Sequence, residues 1–265
     1  MNPQTAFAEI NQTRLYYEQA GTGYPLVLVH GFGLDGRMWD GQFAIFAQHF
    51  QVVRYDLRGF GQSSQPDQPY SHVDDLKSLL DYLSIEQAHL VGLSLGGATA
   101  MDFALRYPTA VNRLVLADSV LDGFRMSETW DNSVIPLYTH GRAGDLAMAK
   151  HLWLSHPLFA PALQNERCRE QLQHIVTDYS GWHWLHQDPG TGSTTPTIER
   201  LHDIQAPTLV IIGDLDLPDF HLMTDLLQQQ LPQAQKVILP GAGHMSNMES
   251  PERFNEAVLN FLSMV

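Results

Sequence analysis

Residues 89–107, HLVGLSLGGATAMDFALRY, decide how the rest of the chain is read. One serine, Ser94, sits between Gly92 and Gly96, where a short apolar run gives way to a helical pattern. A loop carrying a solvated serine has no need of such crowding. A bend so tight that side chains at 92 and 96 would collide does need it. Residues 88–92 read as a strand, and 96–107 as a helix stopped by Pro108, whose ring cannot continue it. A serine in Gly-x-Ser-x-Gly between a strand and a helix has the setting of a nucleophile elbow, a strained turn that presents the hydroxyl. Gly97 would also let the new helix approach the sheet closely.

The same alternation extends in both directions. Residues 26–30, LVLVH, form a continuous apolar run that ends abruptly in GFG, as in a central strand buried on both faces. Residues 13–18, 52–55, 113–117, 207–213 and 236–239 read as further strands. Helices are expected over 38–50, 71–83, 218–230 and 251–262. The second opens on Ser71-His72-Val73-Asp74, a pattern for a reciprocal capping box. It carries Leu76, Leu79, Leu80 and Leu83 as one apolar stripe, and the last places Phe254, Val258 and Phe261 on a face. Strands alternating with helices at this spacing predict an α/β fold, its mostly parallel central sheet covered by helices on both faces.

The rhythm breaks over 124–199. Helical patches occur at 146–154 and 169–179, and four of the five tryptophans fall there (Trp130, Trp153, Trp182 and Trp184). The expected organisation is a core of 1–123 and 200–265 interrupted by a helical lid insertion, 124–199. An insertion of this kind must cover something, although tryptophans are also ordinary packing anchors.

Several reactive side chains follow predicted strand ends, the edge of a parallel sheet where ligands bind. A serine there needs a base, and His244, after a Gly-Ala-Gly turn, is the candidate. His30 also follows a strand but is better placed to buttress its loop. Asp216 is the candidate to fix the histidine tautomer and stabilise the imidazolium. Asp214 is the alternative, free otherwise to satisfy loop amides, and Asp219 falls in the first turn of the next helix. An oxyanion formed by attack of Ser94 would be met by two backbone amides, those of Leu95 and Phe32.

Composition narrows the function classes. The 265 residues carry 15 Lys and Arg against 29 Asp and Glu, a formal charge of −14, and 44% are hydrophobic. This is a globular composition without the basic stripe that a nucleic-acid partner requires. The single cysteine, Cys168, allows no internal disulfide. No signal-peptide pattern and no membrane-length apolar run occur, so a cytoplasmic protein with no membrane partner is expected. The loop at 31–33 lacks the third glycine of a dinucleotide fingerprint, and neither a phosphate loop nor HExxH occurs. No cofactor and no metal are therefore expected.

These residues resemble the alpha/beta-hydrolase superfamily over nearly the whole chain. HGFG at 30–33 is similar to its oxyanion loop, GLSLG at 92–96 to its elbow, and DLRGFGQS at 56–63 to a loop that is mainly structural there, Arg58 included. The order Ser94, Asp216, His244 is the family's order. The resemblance implies a helical lid between the sixth and seventh strands, here 124–199. It points to the lid-bearing group of small carboxylesterases, 3-oxoadipate enol-lactonases, cofactor-free haloperoxidases and carbon–carbon bond hydrolases. Dehalogenases and epoxide hydrolases carry aspartate at the elbow, where this chain has Ser94, and carbon–carbon hydrolases often carry tryptophan where it has Met245.

The expected activity is hydrolysis of small carboxylic esters through an acyl-enzyme on Ser94, with lactone or carbon–carbon bond hydrolysis as the alternatives. A silent binding protein on the same fold would be expected to have lost one of Ser94, Asp216 and His244. The partner is then a small-molecule ester or lactone, with a homo-oligomer left open. An anionic lactone would need a positive group, for which His183, Arg142 and Arg125 are available. Trp39, the region of Phe124 and the tryptophans of the insertion suggest an apolar pocket, without showing which of them face inward.

Overall fold

A computed structural model describes residues 3–263. Its strands are β1 (Gln4–Ile10), β2 (Thr13–Ala20), β3 (Pro25–Val29), β4 (Gln51–Tyr55), β5 (Ala88–Leu93), β6 (Val111–Ala117), β7 (Thr208–Gly213) and β8 (Ala234–Leu239). They make one sheet in the order β1-β2-β4-β3-β5-β6-β7-β8, antiparallel at β1-β2 and β2-β4 and parallel from β4 onward. The central runs are buried as their continuous apolar sequences require, with all six residues of β5 and of β7 buried.

Register places the chemistry. Val29 pairs with Gly92, Leu93 with Ala117, Ala117 with Ile211, and Gly213 with Leu239. The parallel strands therefore end almost level, and the residues that follow them share one edge.

The core helices are α1 (Asp40–Phe46), α2 (His72–Tyr82), α3 (Leu95–Arg106), α9 (Pro218–Gln230), α10 (Ser246–Glu249) and α11 (Pro251–Leu262). Between β6 and β7 lie α4 (Glu128–Arg142), α5 (Leu146–Leu154), α6 (Ala160–Gln164), α7 (Glu166–Asp178) and α8 (Trp182–Leu185). The fold is thus an alpha/beta-hydrolase sheet with helices and a lid-like helical insertion. Among the described residues no helix is long and apolar enough to cross a membrane.

Two local expectations are corrected, and two elements had none. The helix expected over 38–50 is a 3-10 turn, Gly36–Trp39, followed by the shorter α1. Asp35 starts that turn by accepting from the Arg37 amide at 3.0 Å, and bonds from Gln48 to Ile45 and from His49 to Phe46 tighten the far end. The capping box is half closed. Ser71 Oγ accepts from the Asp74 amide at 3.3 Å, but the Asp74 carboxylate turns to Arg106 at 2.9 Å and Tyr107 at 3.3 Å on α3. Strand β1 has a mostly exposed pattern that gave no sequence signal. Helix α4 was likewise unforeseen, because Pro136 lies within it.

Candidate active site

The glycines around Ser94 are explained by contact. A Cβ on Gly92 would run into the Gly96 carbonyl, one on Gly96 into the Val29 carbonyl, and one on Gly97 into the Ser119 hydroxyl. Helix α3 thereby presses its first turn onto β3 and β5. Ser94 itself takes φ 55° and ψ −115°, between the end of β5 and the start of α3. For a residue with a side chain that conformation costs on the order of 1–3 kcal/mol, and it persists because the surroundings hold it. The Ser94 amide donates to Ala117 O at 3.0 Å, and its carbonyl accepts from Ala98 N at 3.1 Å.

His244 arrives on the turn between β8 and α10. That turn is clamped by Glu249, whose carboxylate accepts from the Gly243 amide at 2.7 Å and the Met245 amide at 3.0 Å. The imidazole Nδ1 lies 3.0 Å from Asp216 Oδ2, with both side chains buried. A carboxylate oxygen can only accept here, so in the neutral imidazole Nδ1 carries the proton and Nε2 keeps its lone pair. The other Asp216 oxygen accepts from the Leu217 amide at 2.7 Å, and the Phe220 ring packs 4.3 Å from the imidazole.

Asp214 is turned away, accepting from the Gly241 amide at 2.6 Å. Asp219, in the first turn of α9, accepts from the amide and hydroxyl of Ser127 at 3.1 and 2.7 Å. His30 is fully buried, its Nε2 accepting from the Leu57 amide at 2.9 Å and its Nδ1 donating to the Gly31 carbonyl at 2.8 Å. Burial holds it neutral, its pKa pushed down to about 4. Arg58 makes a buried pair with Asp75 at 2.7 Å, remote from Ser94 in its bonding.

Ser94 and His244 line one cavity of about 220 Å³, together with Gly31, Phe32 and Leu95. A Cβ on Gly31 would lie 3.5 Å from the Ser94 Cβ, so the 30–33 loop abuts the serine. Leu95 is the first residue of α3, where an amide has no partner within its own helix. The remaining wall is mostly apolar, with Trp130, Leu137, Tyr138, Trp153 and Phe159 from the insertion and Leu34 and Val120 from the core.

The structure sorts the aromatic candidates. Trp130 and Trp153 line the cavity. Trp39 is instead fully buried, 6.0 Å from Phe254, and Trp184 is buried within the insertion. Of the cations, Arg142 is committed to the carbonyls of Trp184 and His183 at 2.6 and 3.2 Å, and Arg125 is 91% exposed at its side chain. His183 is buried, 2.6 Å from the Tyr179 hydroxyl. None of the three lines this cavity. Among the described residues no three His, Cys, Asp or Glu side chains converge to hold a metal ion.

One carboxylate at this edge escaped the sequence reading. Asp118, directly after β6, accepts from the Gly213 amide at 2.9 Å and from the Ser246 hydroxyl. It thereby joins the strand end before Asp216 to the helix after His244. Burial, reinforced by the negative charge of Asp216, pushes its pKa well above the usual carboxylate range. The available signal was positional: an aspartate directly following a strand that ends level with β5 and β7.

Known proteins share this fold. The structure is similar to that of the enol-lactonase from Burkholderia xenovorans LB400, with a TM-score of 0.85 and 27% identity over 98% of this chain and 100% of that one. It is also similar to the bromoperoxidase from Bacillus anthracis, with a TM-score of 0.84 and 29% identity over 98% and 100% of the two chains. In sequence the chain is 26% identical to the pimeloyl-[acyl-carrier protein] methyl ester esterase of Aeromonas hydrophila, over 92% of this chain and 98% of the relative. The family model described as the alpha/beta hydrolase fold matches residues 24–251, from before β3 to the first residue of α11. With the sheet order and the turn at Ser94, that match makes the chain a member of the alpha/beta-hydrolase fold family.

Proposed function

We propose that the protein is a serine hydrolase of small carboxylic esters. The observation that carries this reading is the 3.0 Å bond between Asp216 and His244 beside the cavity onto which the strained Ser94 opens. Ser94 Oγ attacks the ester carbonyl while its proton passes to His244 Nε2, and Asp216 stabilises the resulting imidazolium. The oxyanion accepts from the amides of Leu95 and Phe32, each worth about 3 kcal/mol in the transition state. As the intermediate collapses the carbon–oxygen bond to the alcohol breaks, and the alcohol leaves with the proton from His244. Water then attacks the acyl-enzyme with His244 as base, releasing the acid and restoring Ser94. Residues 124–199 serve as a lid, supplying the apolar wall around the acyl group, while 1–123 and 200–265 form the catalytic core.

A lactone can follow the same course, its alcohol remaining tethered to the acyl group, and the likeness to an enol-lactonase favours this second reading. Against an anionic lactone stands the lining itself, which includes no lysine or arginine. Met245 after His244 argues against carbon–carbon cleavage.

The test is a time course with p-nitrophenyl esters from acetate to octanoate, wild type beside Ser94→Ala. We expect turnover to fall by about 10⁴-fold or more in the variant, with short acyl chains preferred in a cavity of about 220 Å³. A folded wild type that cleaves none of these esters overturns the esterase reading, and lactones are then assayed.

A further inference from the structure

A second chamber, about 540 Å³, adjoins the catalytic cavity. The two share Phe32 and Leu95, but neither Ser94 nor His244 lines the larger one. A reacting carbonyl must therefore sit in the smaller cavity, and a substrate that extends past the two shared residues enters the larger. The walls differ in kind. Beyond Ser94 and His244 the catalytic cavity is lined by apolar side chains and Tyr138, whereas the second chamber mixes apolar side chains such as Val73 and Leu105 with Tyr70, Ser71 and His72, with Thr99, Asp102 and Arg106 of α3, and with the loop at 188–194.

That loop is fastened in place. The amide and hydroxyl of Thr191 both donate to the Tyr70 carbonyl, at 2.7 and 2.8 Å, and the Gly190 amide donates to Asp188 at 2.9 Å. Charges around the chamber balance, Asp102 and Asp188 against Arg106 and Arg200. Arg106 is also paired with Asp74 through Nη1 and Arg200 with Asp203 through Nε, so an anion would meet cations already partnered, while each guanidinium has further N–H groups to donate. Burial keeps both imidazoles neutral, with the pKa of His72 lowered to about 3 and that of His183 to about 4. The buried Nδ1 of His72 finds no hydrogen-bond partner among the described residues, an arrangement that costs about 1–3 kcal/mol. Phe32 and Phe60, 5.5 Å apart in an edge contact, supply aromatic surface beside these polar groups.

An anionic ligand would gain no net attraction from such a wall. An apolar one would strand its polar atoms. A neutral group carrying several hydroxyls can donate to the carboxylates and imidazoles, accept from the guanidiniums, and lay its C–H faces on the rings. We propose that this chamber binds the alcohol portion of the substrate, and that this portion is a neutral polyol. The favoured substrate is then an ester of a short apolar acid with a polyhydroxy alcohol. This rests on the esterase reading above, with the acyl chain in the catalytic cavity and the polyol beyond Phe32 and Leu95.

The experiment compares four butyrate esters that differ only in the alcohol: glycerol monobutyrate, ethyl butyrate, anionic O-butyryl glycolate and cationic butyrylcholine. The glycerol ester should lead in kcat/KM by about 10-fold, the discrimination expected of one or two hydrogen bonds. Two variants locate the effect. His72→Phe removes the orphaned imidazole. Gly192→Phe places a ring at the exposed rim of the chamber, where an added Cβ meets nothing within 4 Å. Each should lower kcat/KM for glycerol monobutyrate about 5-fold more than for ethyl butyrate, again the scale of a hydrogen bond. Calorimetry on Ser94→Ala reads the same preference without turnover, glycerol monobutyrate binding more tightly than ethyl butyrate. Cleavage of p-nitrophenyl butyrate with no preference among the four esters overturns the polyol site and leaves the esterase standing. A lead for the glycolate or choline ester replaces it with a charged-group site. If no ester is cleaved the esterase reading falls, and equal or weaker binding of the glycerol ester to Ser94→Ala overturns the chamber's assignment as well.

Discussion

At the sheet edge the reactive residues are held by main chain. Ser94 bonds through its amide and carbonyl to Ala117 and Ala98, Asp216 accepts from the Leu217 amide, and the His244 turn hangs from two amides on Glu249. In the insertion the cavity wall is held by rings. Trp153 packs on Phe159 at 5.1 Å and on Phe32 at 5.8 Å, and Trp130 packs on His156 at 5.2 Å and on Phe220 at 5.7 Å. The difference assigns labour. Under the proposed function, backbone-held geometry serves the reacting atoms, which tolerate little displacement. A wall built from side chains can change shape with each substitution, which on the same proposal suits it to substrate choice.

This contrast can be broken at four points. The largest effect is expected for Asp216→Asn, which allows the wrong imidazole tautomer and should lower kcat by about 10⁴-fold with the fold retained. Ester kinetics beside an unfolding curve check it, and a loss under tenfold would mean that Asp216 does not orient His244. Next is Gly96→Ala, which forces a methyl toward the Val29 carbonyl. Denaturant unfolding should show a loss of about 1–3 kcal/mol, as for other overpacked interiors. A neutral result would show the elbow to be softer than its contacts imply.

Smaller in stability but informative in kinetics is Trp130→Leu on the insertion. Preference between butyrate and octanoate esters should move by about 10-fold toward the longer chain, the scale of one or two methylenes in an apolar pocket. The unfolding midpoint should move little, because Trp130 is only half-buried. The least effect is expected for His156→Gln. Burial lowers the His156 pKa from 6.5 to about 4. Between those values the unfolded chain binds more protons than the folded one, so wild-type stability falls as pH drops through the window. The variant lacks that titration, and the stability gap between the two proteins should narrow from pH 6.5 to 4. A gap that stays constant with pH would place the imidazole in water.

The sheet and the residues at its edge were readable because strand-end chemistry leaves local marks. Gly92, Gly96 and Gly97 announce a close approach that no other residue permits, and Pro108 closes α3. The pair Asp214 and Asp216 showed the opposite limit. Both follow β7 within three residues, and only the fold shows one bonded to His244 and the other to Gly241. The insertion was less legible. Pro136 obscured α4, and which tryptophans face the cavity depends on packing between helices distant in sequence. The second chamber had no mark at all, since Tyr70, Asp102 and Thr191 lie in three separate segments that only tertiary structure unites. Asp118 was passed over because a single aspartate after a strand is common.

The contact between Asp219 and Ser127 also bears on how this chain can be recombined. By sequence, 124–199 is a cassette with two seams. By structure, its first helix begins on Ser127, whose amide and hydroxyl are both held by a carboxylate from α9, 92 positions away. A transplant cut at the two seams alone would leave Asp219 behind and give the incoming helix a foreign docking point, three residues beyond Asp216. Exchange of this cassette between relatives therefore has a third seam. Chimeras that carry the α9 first turn with the insertion should keep the Asp216 loop in register.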